Sequence, residues 1–514
     1  MDHRKPVIFR FIRSRAIIIL VFLLVISGMV VLTNCSHPPA NVSETHNAAS
    51  IYPEYYDLTI PLNIAPLNFI IKELGSKYRI EISAGNGKSI EIQQKSPAIK
   101  IPLHKWRKML SENAGETLSV DIWTFHNNTW IKYPTIRHHI SEDPIDPYLA
   151  YRLVHSVYLR WYDMGIYQRD ISSFRERPVI VNTSTDHGCM NCHSFLKNDP
   201  SRMLIHFRIL HAGTLILNGD TLSIVNTKTP DTMSPGVYPS WHPDGKHIAF
   251  SVCRLSPRLT TRSDKVVDVA DKVSDIILYN TENNSVSTPS ALSTTRRESM
   301  PAWSPDGRYL YFISAPEAIE GDDESLLHAR YDLMRIAYDA QQDSWGEVET
   351  VLNSDSTGMS ISKPSISPDG KYLICSMSDY GYFTIFHKKS DLYSVDLETG
   401  EYKKLDINSN SAESHSSWSS NGRWLVFSSK RLDDVYTRPF IAYFNRDGTT
   451  GRPFVLPRKD PEMYYRLLAN YNLPELITGK IDLAPIGIRD LLYKKSREQR
   501  GQESQPQNTY MYGN

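Results

Sequence analysis

The 514-residue sequence is poor in cysteine, with only Cys35, Cys189, Cys192, Cys253 and Cys375. So few thiols exclude a disulfide-stapled scaffold and leave each cysteine to be explained singly. There is no excess charge of either sign, because 57 basic residues face 57 acidic ones. No dense basic stripe follows Arg15, so the electrostatic footprint of nucleic-acid binding is missing and no nucleic acid is expected as a partner. No Gly-x-Ser-x-Gly elbow is present, and the stretch from Asp460 to Asn514 is too short for a hydrolase domain. Both facts argue against a serine hydrolase.

What is present fits a globular, multidomain chain. Hydrophobic residues make up 40% and aromatics 11%, and the length calls for two to four domains. Arg4, Lys5, Arg10, Arg13 and Arg15 precede an uncharged run from Ala16 to Leu32, which ends at Leu32-Thr33-Asn34-Cys35. Charge, apolar core and cleavage point is the order of a secretory signal. The cysteine at that point resembles a bacterial lipobox, which implies a signal peptide over residues 1–34 and a lipidated Cys35 anchored to a membrane. The alternative is an uncleaved single-pass anchor, since the run from Ala16 to Leu32 is close to the minimum span. Ser36 after the cysteine favours the outer membrane, facing the periplasm. Residues 35–50 read as a tether.

Residues 51–146 carry short alternating segments separated by turn signals such as Asn86-Gly87. They predict a small β-sandwich-like domain of immunoglobulin-like class with one helix over His104 to Ser111. Residues 147–202 read as a short connector, helical from Pro147 to Met164 on the spacing of Tyr148, Tyr151, Leu153, Val154, Val157, Leu159 and Trp161. The connector carries Cys189-Met190-Asn191-Cys192-His193.

A CxxCH is the attachment pattern for c-type haem: the thiols add to the two vinyl groups and the imidazole binds iron. It implies one haem c held by Cys189, Cys192 and His193, with His193 proximal, serving electron transfer or sensing. Met203 is the distal candidate, beside His187, His206 and His211. The competing readings are a CxxC disulfide in an oxidising compartment and half of a zinc site. Zinc lacks a second ligand pair.

From Tyr238 the chain repeats. Tyr238-Pro239-Ser240-Trp241-His242-Pro243-Asp244-Gly245 is followed by Met300-Pro301-Ala302-Trp303-Ser304-Pro305-Asp306-Gly307. Lys363-Pro364-Ser365-Ile366-Ser367-Pro368-Asp369-Gly370 and His415-Ser416-Ser417-Trp418-Ser419-Ser420-Asn421-Gly422 complete the series. Each Pro-Asp-Gly makes a tight turn, and the strand after it buries alternate residues. The near-even spacing of Trp241, Trp303, Ile366 and Trp418 signals a propeller array.

These copies resemble the PD40, or TolB-like, β-propeller repeat. The resemblance implies a propeller over residues 203–460, six blades favoured over five, with residues 461–514 as a C-terminal helix, short strand and a loose tail from Glu498. The register puts Cys375 where Phe250, Phe312 and Phe427 stand, a core position, and Cys253 just beyond its strand. Tyr238, Lys363 and His415 are candidates for the channel mouth.

The layout as a whole resembles exported lipoproteins of the "cytochrome c biogenesis" or TolB-like type. It implies a mainly β, non-enzymatic protein that docks envelope proteins or glycans through the propeller. The alternatives are a TolB-like binding module without haem, its CxxC a disulfide, and a haem-dependent peroxidase-like enzyme with His187 as acid–base residue.

Overall fold

The protein, seen in a computed structural model, is described over residues 41–155, 163–208, 210–262 and 265–502. The expected signal peptide and Cys35 lie outside the described residues. No helix among the described residues is long and apolar enough to cross a membrane.

The chain is mainly β, as expected. Ahead of the repeats stand a seven-stranded sheet and a three-stranded sheet, with the helix Leu103–Glu112 beside them. The segments predicted as strands recur as Lys77–Ser83, Ile90–Gln94, Thr117–His126 and Thr129–Lys132. In Lys77–Ser83, Tyr78, Ile80 and Ile82 point inward, which is what a half-buried strand demands. Trp106 anchors the helix, fully buried, with its indole donating to Ile64 O at 3.0 Å.

Six four-stranded antiparallel sheets follow among the described residues. Sheet I comprises Ala469–Ile477, Tyr148–His155, Gly165–Asp170 and Glu176–Val181, from its inner to its outer edge. Sheet II runs through Cys189–Phe195, Arg202–Arg208, Gly213–Asn218 and Thr221–Val225. Sheets III to VI begin at Val237–Trp241, Arg297–Trp303, Ser360–Ile366 and Glu413–Trp418, and each holds one of the Pro-Asp-Gly-type turns after its first strand. The first strands of neighbouring sheets touch one another in succession from II to VI. Ala469–Ile477 then touches those of both VI and II. The ring is therefore closed by a strand from the C-terminal end added to three strands from before the repeats. This seam ties the two ends of the array together, so that the sheets protect one another around the ring.

Two expectations for residues 147–202 are corrected here. The helix over Pro147 to Met164 is instead the strand Tyr148–His155, within sheet I, over its described part. Leu149, Ala150 and Tyr151 are all fully buried, so the strand is covered on both faces. Such a strand reads as a continuous apolar run, which sequence periodicity does not separate from a buried helix. The CxxCH, in turn, does not lie in a connector. It opens the first strand of sheet II. The array thus begins at Tyr148 rather than 203, and its closing strand lies beyond 460. Past that strand the helix Pro485–Gln502 runs through Glu498, where a loose tail was expected.

The amino-terminal sheets share one core with sheets V and VI, in which Ile60, Ile140 and Tyr55 pack with Trp418, Trp424 and Ile441. Trp424 Nε1 donates to Asp143 O at 3.1 Å, and Asp146 accepts from the Ser420 amide at 2.7 Å.

The candidate channel site

Each of the six inner strands departs from regular pairing at one place. In sheet III, Val237 pairs with Ser251 and Ser240 with Ala249, so Tyr238 and Pro239 together face Phe250. The same one-residue excess recurs at Met300, Lys363, His415 and Cys192, and at Leu473 in the closing strand. This is a β-bulge, which bends a strand and re-aims the extra side chain.

All six residues adopt left-handed backbone: Cys192 at φ 35°, Tyr238 49°, Met300 53°, Lys363 54°, His415 52° and Leu473 49°. None is glycine, and such a conformation costs on the order of 1–3 kcal/mol each. Six matching outliers held at one level of a ring mark a built feature. Proline follows at Pro239, Pro301, Pro364 and Pro474, and His193 takes that place in sheet II. The His of the CxxCH is thus one member of the repeat.

These residues line a central cavity of ≈ 580 Å³. The lining extends from the left-handed residues to Pro243, Pro305, Pro368 and Ser420 at the turns, where the mouth lies. Next to the left-handed residues along these strands, fully buried serines bond one another. Ser299 Oγ lies 3.1 Å from Ser251 Oγ and 2.6 Å from Tyr382 OH, and Ser376 Oγ 3.2 Å from Ser414 Oγ.

Several lining residues hold unpaired polar atoms that are buried behind the cavity surface. Neither ring nitrogen of His193 is hydrogen-bonded, nor are Trp241 Nε1, Trp303 Nε1, His415 Nδ1 and Ser416 Oγ. Trp418, at the equivalent place in sheet VI, shows the contrast, since its Nε1 donates to Ser365 O at 3.1 Å. Buried polar groups are ordinarily paired, so these atoms are a cost the ring carries, and none of them has accessible surface on the cavity.

Lys363 Nζ lies 4.2 Å from the centre of the Tyr238 ring and 5.5 Å from that of Phe383. Burial lowers its ammonium to about 8, and the nearby charge of Arg152 acts in the same direction. Burial also holds the His193 imidazole down at about 3, the Leu473 backbone offsetting part of the effect without reaching hydrogen-bond geometry. The His415 imidazole is held well below its ordinary value for the same reason. Glu475 is the one carboxylate among the lining residues, and burial raises it to about 8. Its Oε1 stands 3.5 Å from His193 Nε2. Both shifts favour the uncharged forms, a carboxylic acid facing a neutral imidazole.

Among the residues singled out in the sequence, the structure brings Cys192, His193, Tyr238, Lys363 and His415 to the channel. It does not bring Cys189 there. That thiol is 1% exposed, packs between sheets I and II, and accepts from Arg208 Nη2 at 3.1 Å. Met203 is corrected as a distal ligand, because it is fully buried in the same core, opposite Phe195 in the sheet. His206 bonds Thr214 Oγ1 at 3.0 Å, His211 bonds Ser496 and Asp186, and neither they nor His187 line the channel. Cys375 is fully buried in the core, its thiol raised to about 12 by burial. Cys253 lies within the strand His247–Arg262 rather than beyond it. The four described cysteines are all free thiols.

The His193 side chain has no exposed surface and Cys192 is 2% exposed, so in this arrangement neither is open to a haem. Attachment through both thiols does not fit, because Cys189 is committed to packing on another side of the strand. Sequence reasoning missed Glu475, Met300, Leu473 and the bare indoles of Trp241 and Trp303. The available signal for Glu475 is Leu473-Pro474-Glu475-Leu476, which repeats the left-handed residue, proline and apolar end of the other copies.

One other group invites a metal reading. The ligand atoms of His242, Asp244 and His247 lie within 4.8 Å of one another. They are already engaged: Asp244 accepts from the amides of Lys246 and His247 and from His247 Nδ1, while His242 Nε2 meets Gly307 O at 3.1 Å. This cluster clamps a turn and stitches sheet III to IV.

No family model matches the chain, and no curated protein matches it. Solved structures align with it at low identity. A nidogen/laminin complex aligns at 6% identity over 65% of this chain and 100% of its own, with a TM-score of 0.37. A Mycobacterium tuberculosis puromycin-hydrolyzing peptidase aligns at 11% over 80% of this chain and 57% of its own, TM-score 0.34. The Cps50 (Swd1) β-propeller domain of Myceliophteria thermophila aligns at 9% over 66% and 92%, TM-score 0.28. Likenesses this distant carry nothing about function.

Proposed function

We propose that the protein is a PD40- or TolB-like binding propeller whose central channel takes a small ligand. On this reading it is exported, anchored by a lipid on Cys35 and held in the cell envelope, where its outer surfaces dock envelope proteins or glycans. The observation that carries the proposal is a cavity of ≈ 580 Å³ whose wall is built by the six left-handed bulge residues. That volume lies in the ordinary range for small-molecule sites. Cys192, His193 and Glu475 line the channel together, yet no hydrogen bond joins Cys192 to a base among the described residues, and binding is the activity inferred.

The test is thermal melting of the full chain against a panel of small carboxylates, phosphates, sugars and amino acids. Met300→Trp, which fills the channel, serves as the control. At least one class should raise the melting temperature of the wild type and leave the variant unmoved, because a ligand that binds only the folded state stabilises it. No shift with any class, or equal shifts in both proteins, would overturn the reading.

A haem in the channel is the second reading, resting on the CxxCH and on the place of Cys192 and His193 among the lining residues. It would be held by Cys192 and His193 and would supply electron transfer or small-ligand binding. A haem stain on denaturing gels decides it. A band lost in Cys192→Ala and kept in Cys189→Ala supports single attachment, and an unstained wild type removes haem altogether.

A further inference from the structure

Resting on the channel reading, we infer that the channel ligand is a saccharide, held by a ring of hydroxyls between the left-handed level and the mouth and continuing into the groove between sheets IV and V. Three observations converge on this class.

The first is a register that runs round the ring. Two residues after the six left-handed positions stand Ser194, Ser240, Ala302, Ser365, Ser417 and Glu475, and all of them line the cavity. Ser416 Oγ is unpaired and buried, whereas the hydroxyls of Ser194, Ser365 and Ser417 are unpaired and keep accessible surface. Ser240 Oγ accepts from the Trp303 amide at 3.1 Å and keeps its own hydrogen to give. Unlike the sealed indoles, these groups open on the space their strands enclose.

The second is the two-way character of that ring. Glu475 completes it, with a side chain 23% exposed and an uncharged form favoured by burial. A hydroxyl and a carboxylic acid each donate and accept. Such a ring suits a ligand whose own hydroxyls both give and take. An apolar occupant would strip water from these groups and return nothing.

The third is shape. A groove of ≈ 630 Å³ between sheets IV and V shares Ser304, Pro305 and Pro368 with the channel. Tyr309 lines it, with exposed Arg308, Lys371 and Glu398 around it. An aromatic and proline surface with a few polar groups is the ordinary make-up of a ligand site. An occupant that runs from channel to groove is extended and repeats its chemistry, as a chain of sugars does. An extended peptide is held by backbone ladders, and Pro239, Pro301, Pro364 and Pro474 remove the N–H beside the hydroxyl ring in four of the six inner strands.

The experiment applies the labelled full chain to a broad printed glycan array and titrates the oligosaccharides that bind, with the single sugars at their ends, into wild type and variants. Expected is binding to at least one family of oligosaccharides, lost in Ser365→Leu and in Ser417→Leu, which crowd the ring from two different sheets. A melting temperature close to that of the wild type shows that a variant folds, and either one alone suffices. Lys371→Ala combined with Glu398→Ala, exposed in the groove, should weaken the oligosaccharide several-fold and leave the single sugar unchanged. A silent array with melting shifts from carboxylates, phosphates or amino acids overturns the inference and leaves the channel reading intact. Silence on the array and across the whole melting panel overturns both. Binding undiminished in a folded ring variant overturns the placement in the channel, and an unchanged oligosaccharide affinity in the groove variant overturns the continuation.

Discussion

His193 Nε2 and Glu475 Oε1 face each other at 3.5 Å across the seam where the closing strand Ala469–Ile477 meets the first strand of sheet II. The histidine comes from the CxxCH and the glutamate from the closing strand. The closure of the ring therefore also completes the wall of the channel, so the site exists only in the closed propeller.

That pair gives the first prediction. Burial raises the Glu475 carboxyl from 4.5 to about 8. Between those values the folded chain holds a proton that the unfolded chain has lost. Stability from this group is therefore full below about 4.5, falls as pH rises to about 8, and is level above that. Glu475→Gln should flatten the decline. The difference in urea midpoint between variant and wild type should grow from pH 5 to pH 8 in favour of the variant. A constant difference across that range would contradict the buried carboxyl.

The stitch between sheets III and IV gives the second. Gly307 has φ +76°, and a Cβ there would meet His242 Nε2 at 2.4 Å. The ring has little room to retreat, packed edge-on to Trp303 at 4.6 Å between centroids. Gly307→Ala combines backbone strain with a displaced side chain and should cost about 2–4 kcal/mol in urea unfolding. A change within a few tenths would show that the turn is looser than described.

Trp424 supplies the third. It is fully buried and joins sheet VI to the amino-terminal domain through its bond to Asp143 O. Trp424→Ala should cost about 3–5 kcal/mol by loss of packing. It should also expose the segment around residues 142–147 to limited proteolysis. Destabilisation without new cleavage there would mean that the amino-terminal domain is held elsewhere.

The fourth concerns thiols. Cys192 borders the channel, whereas Cys189 and Cys375 are sealed in packed cores. A small methanethiosulfonate reagent should label Cys192, itself only 2% exposed, faster than either, since a local opening at the channel wall uncovers it more readily than opening of the cores uncovers the others. Met300→Trp should slow labelling of Cys192 alone. Equal rates at Cys189 and Cys192 would restore the case for a haem bound by both.

The repeats were legible because a Pro-Asp-Gly turn and a following apolar strand recur at a readable spacing, and they placed Cys375 correctly in the core. The amino-terminal strands were legible for the same kind of reason, alternation between turn signals. Sheet I was not, because its strand Tyr148–His155 is buried on both faces and its inner partner, Ala469–Ile477, comes from the far side of the whole repeat array. Local pattern carries no trace of such a pairing. The left-handed ring was also hidden, since that backbone is associated with glycine and here falls on Cys192, Tyr238, Met300, Lys363, His415 and Leu473. Tyr238, Lys363 and His415 were nonetheless singled out as channel candidates by their place before the apolar strands, and all of them line it. The CxxCH was read as a motif standing alone, whereas its Cys192-His193 is one bulge of the array.

The most direct test of the central claim is an experimental structure of the chain purified from its native membrane, without added ligand or chelating buffer anion. The account predicts non-protein density in the channel, at the level of the six left-handed residues. A channel holding only ordered water, or one filled by the protein's own side chains, would contradict it.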